Sequence, residues 1–134
     1  MTKKEVTQLS YDITGFAIKV HKILGPGLLE SVYEKCLVYE LRKHGHDVKQ
    51  QMKVPVQYGE IVFDADLKID LLVDDCVVVE LKAQEELHPI YEAQLLTYMK
   101  ILKKPQGLLI NFFTENITKS MKPLINEFFK DLPN

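Results

Sequence analysis

Three charged residues in the middle of the chain, Asp70, Glu80 and Lys82, have the types and spacing that phosphodiester hydrolysis needs. Side chains alternate along the predicted strand Val77–Ala83, so Glu80 and Lys82 point to the same side of an otherwise apolar strand. Burying charged groups is unfavourable unless they pair or bind something. A Glu–Lys pair at a solvated strand edge is the simpler explanation, and without Asp70 it would be favoured.

Asp70 changes this balance through hairpin geometry. If the segments around Asp70 and Glu80 form a hairpin, the two carboxylates share a face when the two residues lie opposite each other. A two-residue turn at Asp74-Asp75 would place the carboxylates on opposite faces. The functional interpretation therefore predicts an odd-numbered turn centred on Asp75, or a bulge.

Two carboxylates on one face, followed by an amine, suit a metal-dependent phosphodiesterase. Asp70 and Glu80 would hold Mg²⁺, with Mn²⁺ as the alternative, because Mg²⁺ accepts few protein ligands and keeps several waters. The ion would make a water more acidic and offset charge on the scissile phosphate. Lys82 would orient the attacking water or contact a phosphate oxygen.

Apolar periodicity predicts two helices before this region. Residues 2–5 have the form of a capping box, and apolar residues then recur at three- and four-residue steps as far as Leu24. The Gly-Pro-Gly run at 25–27 favours a turn. A second helix is predicted from about Leu28 to Lys43.

From Val48 the apolar period changes to two, which predicts strands. A strand reached through a helical crossover usually joins its sheet in parallel. The sequence therefore predicts an α/β (α+β) fold with a mixed central sheet flanked by helices. The later elements are predicted as strands at 48–56, from 61, at 69–73 and at 76–83, a helix ending near 103, a strand at 107–113 and a closing helix at 117–129.

The 134 residues, 46% of them hydrophobic, suit a single domain spanning 1–134. No apolar run reaches the roughly 20 residues of a membrane span, and the N-terminus lacks a secretory signal, so a cytoplasmic protein without membrane contact is expected. Cys36 and Cys76 lie within apolar patterns and are expected to be buried free thiols.

The net charge of −2 is unevenly distributed. Residues 60–92 carry ten acidic residues against only Lys68 and Lys82, whereas both flanking segments are mildly basic. This pattern fits either a solvated acidic surface or a cation site flanked by phosphate-binding surface. Arg42 is the only arginine, which argues against coating nucleic acid by bulk charge.

Three motifs, in order, resemble those of a known family. Residues 70–73 followed by 79–83 resemble the catalytic hairpin of the PD-(D/E)XK nuclease superfamily, although Ile69 stands where the superfamily name has proline. Residues 27–33 resemble the GxxExxY signature of a small bacterial and archaeal family within it. Residues 94–98 resemble the QxxxY motif of its RecB-like and lambda-exonuclease-like branches.

The resemblance implies a restriction-endonuclease-like core and a nuclease that acts on DNA or RNA. Asp70 and Glu80 would be metal ligands, with Glu30 and the carbonyl of Leu81 as additional ligands, and Lys82 would complete the catalytic set. Residues implied to contact the substrate or steady the site are Tyr33, Gln94 and Tyr98.

Plainer explanations exist for the outer residues of this set. Glu30 fits the positive end of its own helix, and Gln94 and Tyr98 fit half-buried positions on an amphipathic helix. At the level of function, the alternative is a catalytically silent nuclease fold that binds nucleic acid or a protein partner. A structural or homo-oligomerisation domain ranks last, because it leaves the charged hairpin unexplained.

Overall fold

Two helices open the chain. In the computed structural model, which describes all 134 residues, α1 spans Lys3–Leu24 and α2 spans Glu30–Lys43. The predicted capping box is present at the start of α1, where the side chains of Thr2 and Glu5 each accept a hydrogen bond from the other residue's backbone N–H at 3.1 Å. The second helix begins two residues later than predicted, because the backbone of Leu29 is extended.

The five strands form one mixed sheet in the order β1-β2-β3-β4-β5. β3 and β4 are parallel and joined through helix α3, whereas the other neighbouring strands are antiparallel. The predicted mixed sheet flanked by helices is therefore confirmed. The elements are β1 Val48–Tyr58, β2 Ile61–Val73, β3 Val77–Lys82, α3 Ile90–Leu102, β4 Gln106–Asn111 and β5 Lys122–Ile125.

Strand β2 is one long strand, where the sequence suggested two. It bends at Asp66, which has a φ of 56°, and the register with β1 shifts between Lys53 and Pro55. Only residues 71–73 of β2 pair with β3, so most of β1 and β2 forms a two-stranded arm. Asp64 and Asp70 consequently lie on opposite sides of a bulge.

The predicted closing helix at 117–129 is wrong. The segment contains a short helix α4 at Ile117–Ser120, strand β5 and a final turn of helix α5 at Glu127–Lys130. Pro123 explains the break, because proline inside a helix removes a backbone hydrogen bond and clashes with the preceding turn. An edge strand tolerates proline, and β5 pairs only with β4.

The sheet separates two hydrophobic clusters. Val79 and Leu81 belong to the larger cluster, which includes buried residues of α1 and α2. Val78 points the other way and belongs to the cluster that contains Leu95 and Met99 of α3. The predicted alternation along β3 is thus observed, and it places Glu80 on the same face as Val78.

Side chains of helix α3 pack directly against β4 at Gly107. A Cβ at this position would lie 2.7 Å from the Met99 sulfur and 3.0 Å from Leu95 Cγ. Any larger residue would therefore require these two side chains to shift. The glycine thus allows α3 to pack closely on the sheet that carries the charged residues.

The two cysteines were predicted to be buried free thiols. Both are free and Cys76 is buried in the core, but Cys36 is partly exposed, so the prediction is wrong for the burial of Cys36. No helix combines the length and the apolar character needed to cross a bilayer.

Candidate active site

The β2–β3 hairpin has the register that the functional interpretation predicted. Val73 pairs with Val77 across a turn of three residues, 74–76. Continuing this register places Asp70 opposite Glu80, so their side chains lie on one face of the sheet. The prediction of an odd-numbered turn is confirmed.

Two crossing hydrogen bonds join the strands at this point. The Asp70 N–H donates to Glu80 Oε1 at 3.0 Å, and the Leu81 N–H donates to Asp70 Oδ2 at 2.8 Å. Each carboxylate therefore accepts a hydrogen bond from the backbone of the opposite strand. The paired residues of the two strands end at Leu71 and Val79, immediately before these side-chain contacts begin.

Glu80 is a buried carboxyl group with 9% of its surface exposed. Burial, followed by the negative charge of Asp70, raises the pKa of Glu80 to about 8. The hydrogen bond from the Asp70 N–H and the positive charge of Lys82 act in the opposite direction. Without a further cation nearby, Glu80 is therefore mostly protonated at neutral pH, and a bound cation would favour its ionised form.

Lys82 forms no ion pair with any carboxylate. Its Nζ lies 4.3 Å from the centre of the Tyr91 ring, at the start of α3, in a cation–π contact. The Tyr91 hydroxyl donates to Gln84 Oε1 at 3.2 Å, which fixes the ring. The amine is thus held in place while its charge stays available for an anion.

Glu30, the first residue of α2, is half-buried and faces the hairpin. Burial raises its pKa, the charge of Asp70 raises it further and the charge of Lys82 lowers it. The three predicted carboxylates are nevertheless not gathered into a closed ligand set. No group of three or more histidine, cysteine, aspartate and glutamate side chains is placed to hold a metal ion.

Gln94 and Tyr98 lie near the hairpin from the side of α3. Gln94 is exposed, whereas Tyr98 is 6% exposed. Burial and the charge of Glu80 raise the pKa of Tyr98, and a hydrogen bond with the Gln94 side chain lowers it. The structure therefore brings the tyrosine close to Glu80 and leaves the glutamine facing solvent.

Tyr33 lies in the core, where it stacks on Phe112 with ring centres 4.4 Å apart and planes 5° apart. Its hydroxyl donates to the Gly25 carbonyl and accepts from the Leu28 N–H at 3.1 Å. These two hydrogen bonds stabilise the turn that precedes Glu30. A supporting role fits this position, whereas direct contact with a substrate does not.

Three residues near the site were not identified from the sequence: Glu34, Gln51 and Tyr91. Glu34 lies one helical turn after Glu30, and this spacing of four could have identified it. Burial raises the pKa of Glu34, and hydrogen bonds from the side chains of Gln50 and Gln51 lower it. Gln51 and Tyr91 reach the site only through tertiary contacts.

The residues fit a hard divalent cation by their chemistry. Asp70, Glu80, Glu30 and Glu34 supply oxygen only, and none of the four takes part in an ion pair. Mg²⁺ needs only one or two protein carboxylates because it keeps several waters, so the absence of a closed three-residue group is compatible with it. A cation would also offset the repulsion that raises the pKa of Glu80.

The fold and the site together define a nuclease-type domain, with an acidic residue on one strand and a Glu-x-Lys pair on the next. A family model of the PD-(D/E)XK nuclease superfamily matches residues 7–124. The chain belongs to this superfamily. Neither the search of curated proteins nor that of solved structures found a match.

Proposed function

We propose that this protein is a nuclease that hydrolyses phosphodiester bonds in nucleic acid with the help of Mg²⁺ or Mn²⁺. The observation that carries the proposal is the hairpin register, because it brings two uncompensated carboxylates and an amine to one face of the sheet. Membership of a superfamily that consists mostly of nucleases supports the same reaction. The proposal extends to the GxxExxY family and the RecB-like branch on the strength of the motifs at 27–33 and 94–98.

Asp70 and Glu80 would hold the cation, with Glu30 and the Leu81 carbonyl as further oxygen ligands. When bound, the cation would supply positive charge against the scissile phosphate and lower the pKa of a nearby water. Lys82 would then donate a hydrogen bond to a phosphate oxygen or orient the attacking water. The contact with the Tyr91 ring would hold the Lys82 amine in position for this role.

The outer residues would support this arrangement. Tyr98 lies next to Glu80, and exposed Gln94 is free to contact the nucleic-acid backbone. Tyr33 would act indirectly by fixing the turn from which α2 presents Glu30. Residues 1–134 would work as one domain, because both hydrophobic clusters pack on a single sheet.

The proposal is tested by incubating the purified protein with single- and double-stranded DNA and RNA in Mg²⁺ or Mn²⁺. Cleavage that requires the cation and is lost in Asp70→Asn and Lys82→Met is expected. Asp75→Asn, on the same hairpin but outside the site, is the matched control and should cleave normally. Cleavage that persists in EDTA, or in both site variants, would contradict the proposal.

A nuclease fold that binds without cleaving is the second candidate. The observation that favours it is that no group of three or more His, Cys, Asp and Glu side chains is placed to hold a metal ion. Such a module would bind phosphate through lysines alone, because the guanidinium of the only arginine, Arg42, donates to the Val48 carbonyl at 2.9 Å. Nucleic-acid binding that needs no metal and is unaffected by Asp70→Asn would favour this candidate over the nuclease.

A further inference from the structure

Gln51 has a backbone conformation that its position in a strand does not explain. It lies inside β1 with a φ of 49°, in the left-handed region. The other non-glycine residues with positive φ are three aspartates, which tolerate this region, and Lys103, which ends helix α3. A residue strained in this way persists only where its surroundings hold it there.

The side chain of Gln51 connects two acidic residues from different elements. Its Nε2 donates to Glu34 Oε1 on α2 at 2.8 Å and to Asp70 Oδ1 on β2 at 3.2 Å. The register of β1 and β2 places Gln51 directly opposite Asp70. One neutral amide group therefore lies between two carboxylates that would otherwise repel each other.

Resting on the proposed function, we propose that Gln51 is a positioning residue whose amide bridges Glu34 and Asp70 in the metal-free protein and competes with the cation for Asp70. Its amide N–H groups satisfy the two carboxylates and hold them in a fixed direction. Since one of these hydrogen bonds occupies Asp70 Oδ1, the amide competes with a divalent ion for this oxygen. The amide thereby links Glu34 of α2 to the carboxylates of the hairpin.

The neighbouring Gln50 provides a matched control. Its Nε2 donates to the other oxygen of Glu34, Oε2, at 3.1 Å and does not contact Asp70. Methionine has nearly the length of glutamine without an amide, so Gln51→Met and Gln50→Met differ in whether Asp70 loses a donor. Gln51→Gly also removes the amide but relaxes the strained backbone.

The first test measures Mn²⁺ affinity by isothermal titration calorimetry. Gln51→Met is expected to bind Mn²⁺ about fivefold more tightly, as expected when a competing hydrogen bond of ~1 kcal/mol is removed. Gln51→Gly should show the same gain, and Gln50→Met should bind like the unaltered protein. Unchanged or weaker Mn²⁺ binding in Gln51→Met would overturn the inference.

The second test needs neither metal nor activity. In EDTA, Gln51→Met should lower the urea midpoint of unfolding, and this loss should be smaller when Asp70→Asn is also present, because the repulsion has then been removed. An equal loss in both backgrounds would refute the bridge. If the unaltered protein takes up no Mn²⁺, the proposed function and the competition both fail, and this double-mutant cycle still decides whether the bridge exists.

Discussion

The β2–β3 hairpin carries two acidic residues near its turn and two at its open end, and the two pairs have opposite environments. At the turn, Asp74 accepts from His46 Nδ1 at 2.7 Å, and Asp75 accepts from Lys104 Nζ at 2.9 Å. The charge and hydrogen bond of Lys104 lower the pKa of Asp75. At the open end, Asp70 and Glu80 have no ion pair, and the pKa of Glu80 is raised.

The difference separates carboxylates that stabilise a turn from carboxylates that lack a charged partner within the protein. The two turn aspartates accept hydrogen bonds from side chains of the protein, His46 and Lys104, and both adopt left-handed backbone conformations that this residue type tolerates. At the open end, Glu80 is buried and Asp70 half-buried, and each accepts a backbone N–H but forms no ion pair. An uncompensated pair of this kind lowers the protein's stability unless a ligand supplies the missing positive charge.

The largest expected effect is a loss of cleavage when a carboxylate at the open end of the hairpin is changed. Without this loss, the two ends of the hairpin would not differ in function. Asp70→Asn should reduce cation-dependent cleavage by at least about a hundredfold, because groups that stabilise transition-state charge typically contribute that much. Asp75→Asn should leave cleavage unchanged. Initial rates on a fluorescently labelled oligonucleotide measure both, and equal losses in the two variants would remove the distinction between the ends of the hairpin.

The next effect is the pH dependence of stability in the metal-free protein. Between the ordinary value of 4.5 and about 8, folded Glu80 keeps a proton that the unfolded chain releases. Unfolding then releases a proton, so the free energy of unfolding falls as pH rises through this window, by at most about 1.4 kcal/mol per pH unit. Urea titrations from pH 5 to 9 in EDTA measure this slope.

Glu80→Gln is expected to remove most of that slope. The raised pKa values of Glu30 and Glu34 contribute a smaller remainder with the same sign. Asp75 behaves oppositely, because its lowered pKa gives stability that is lost only as pH falls below 3.8. A metal-free protein whose stability rises from pH 5 to 8 would contradict the assignment of a protonated Glu80.

A third, smaller effect concerns the contact between Lys82 and Tyr91. Tyr91→Leu should lower the cleavage rate by about two- to thirtyfold, since a cation–π contact contributes ~0.5–2 kcal/mol. Tyr91→Phe keeps the ring and should retain nearly full activity. If Tyr91→Phe lowers the rate as much as Tyr91→Leu, the hydrogen bond from the Tyr91 hydroxyl to Gln84 matters more than the contact of the ring with Lys82.

The smallest effect is expected at the turn. Lys104→Met removes the ion pair with the largely exposed Asp75 and should change the free energy of unfolding by less than ~1 kcal/mol, as exposed pairs generally do. The difference should shrink further in 1 M salt. A loss of several kcal/mol, measured by urea unfolding, would mean that this ion pair stabilises the protein far more than an exposed pair does.

Local patterns in the sequence predicted the hairpin, whereas its register was predicted only on the assumption that the two carboxylates act together. Alternation along Val77–Lys82 fixes which side chains share a face, and only an odd-numbered turn makes the two carboxylates meet. The mixed sheet followed from one helical crossover between two apolar strands. The closing helix failed because the apolar spacing of 117–129 was given more weight than the single residue Pro123.

The remaining parts of the site depend on contacts between distant segments. Gln51 reaches Glu34 and Asp70 through the pairing of β1 with β2 and the packing of α2, and its left-handed φ has no local signal. Tyr91 meets Lys82 because α3 crosses back over the sheet. Single-sequence reasoning therefore finds the strand-borne groups and misses those that packing brings in.

Because of the two crossing hydrogen bonds at the open end of the hairpin, the exchange of two backbone amide protons depends on the position of the Asp70 and Glu80 carboxylates. The N–H groups of Asp70 and Leu81 each donate to a carboxylate side chain of the opposite strand. If those carboxylates rotate toward a ligand, both protons become free to exchange with deuterium while the interior of β3 stays protected. The exchange rates of these two amides would thus reveal occupancy of the site without a substrate.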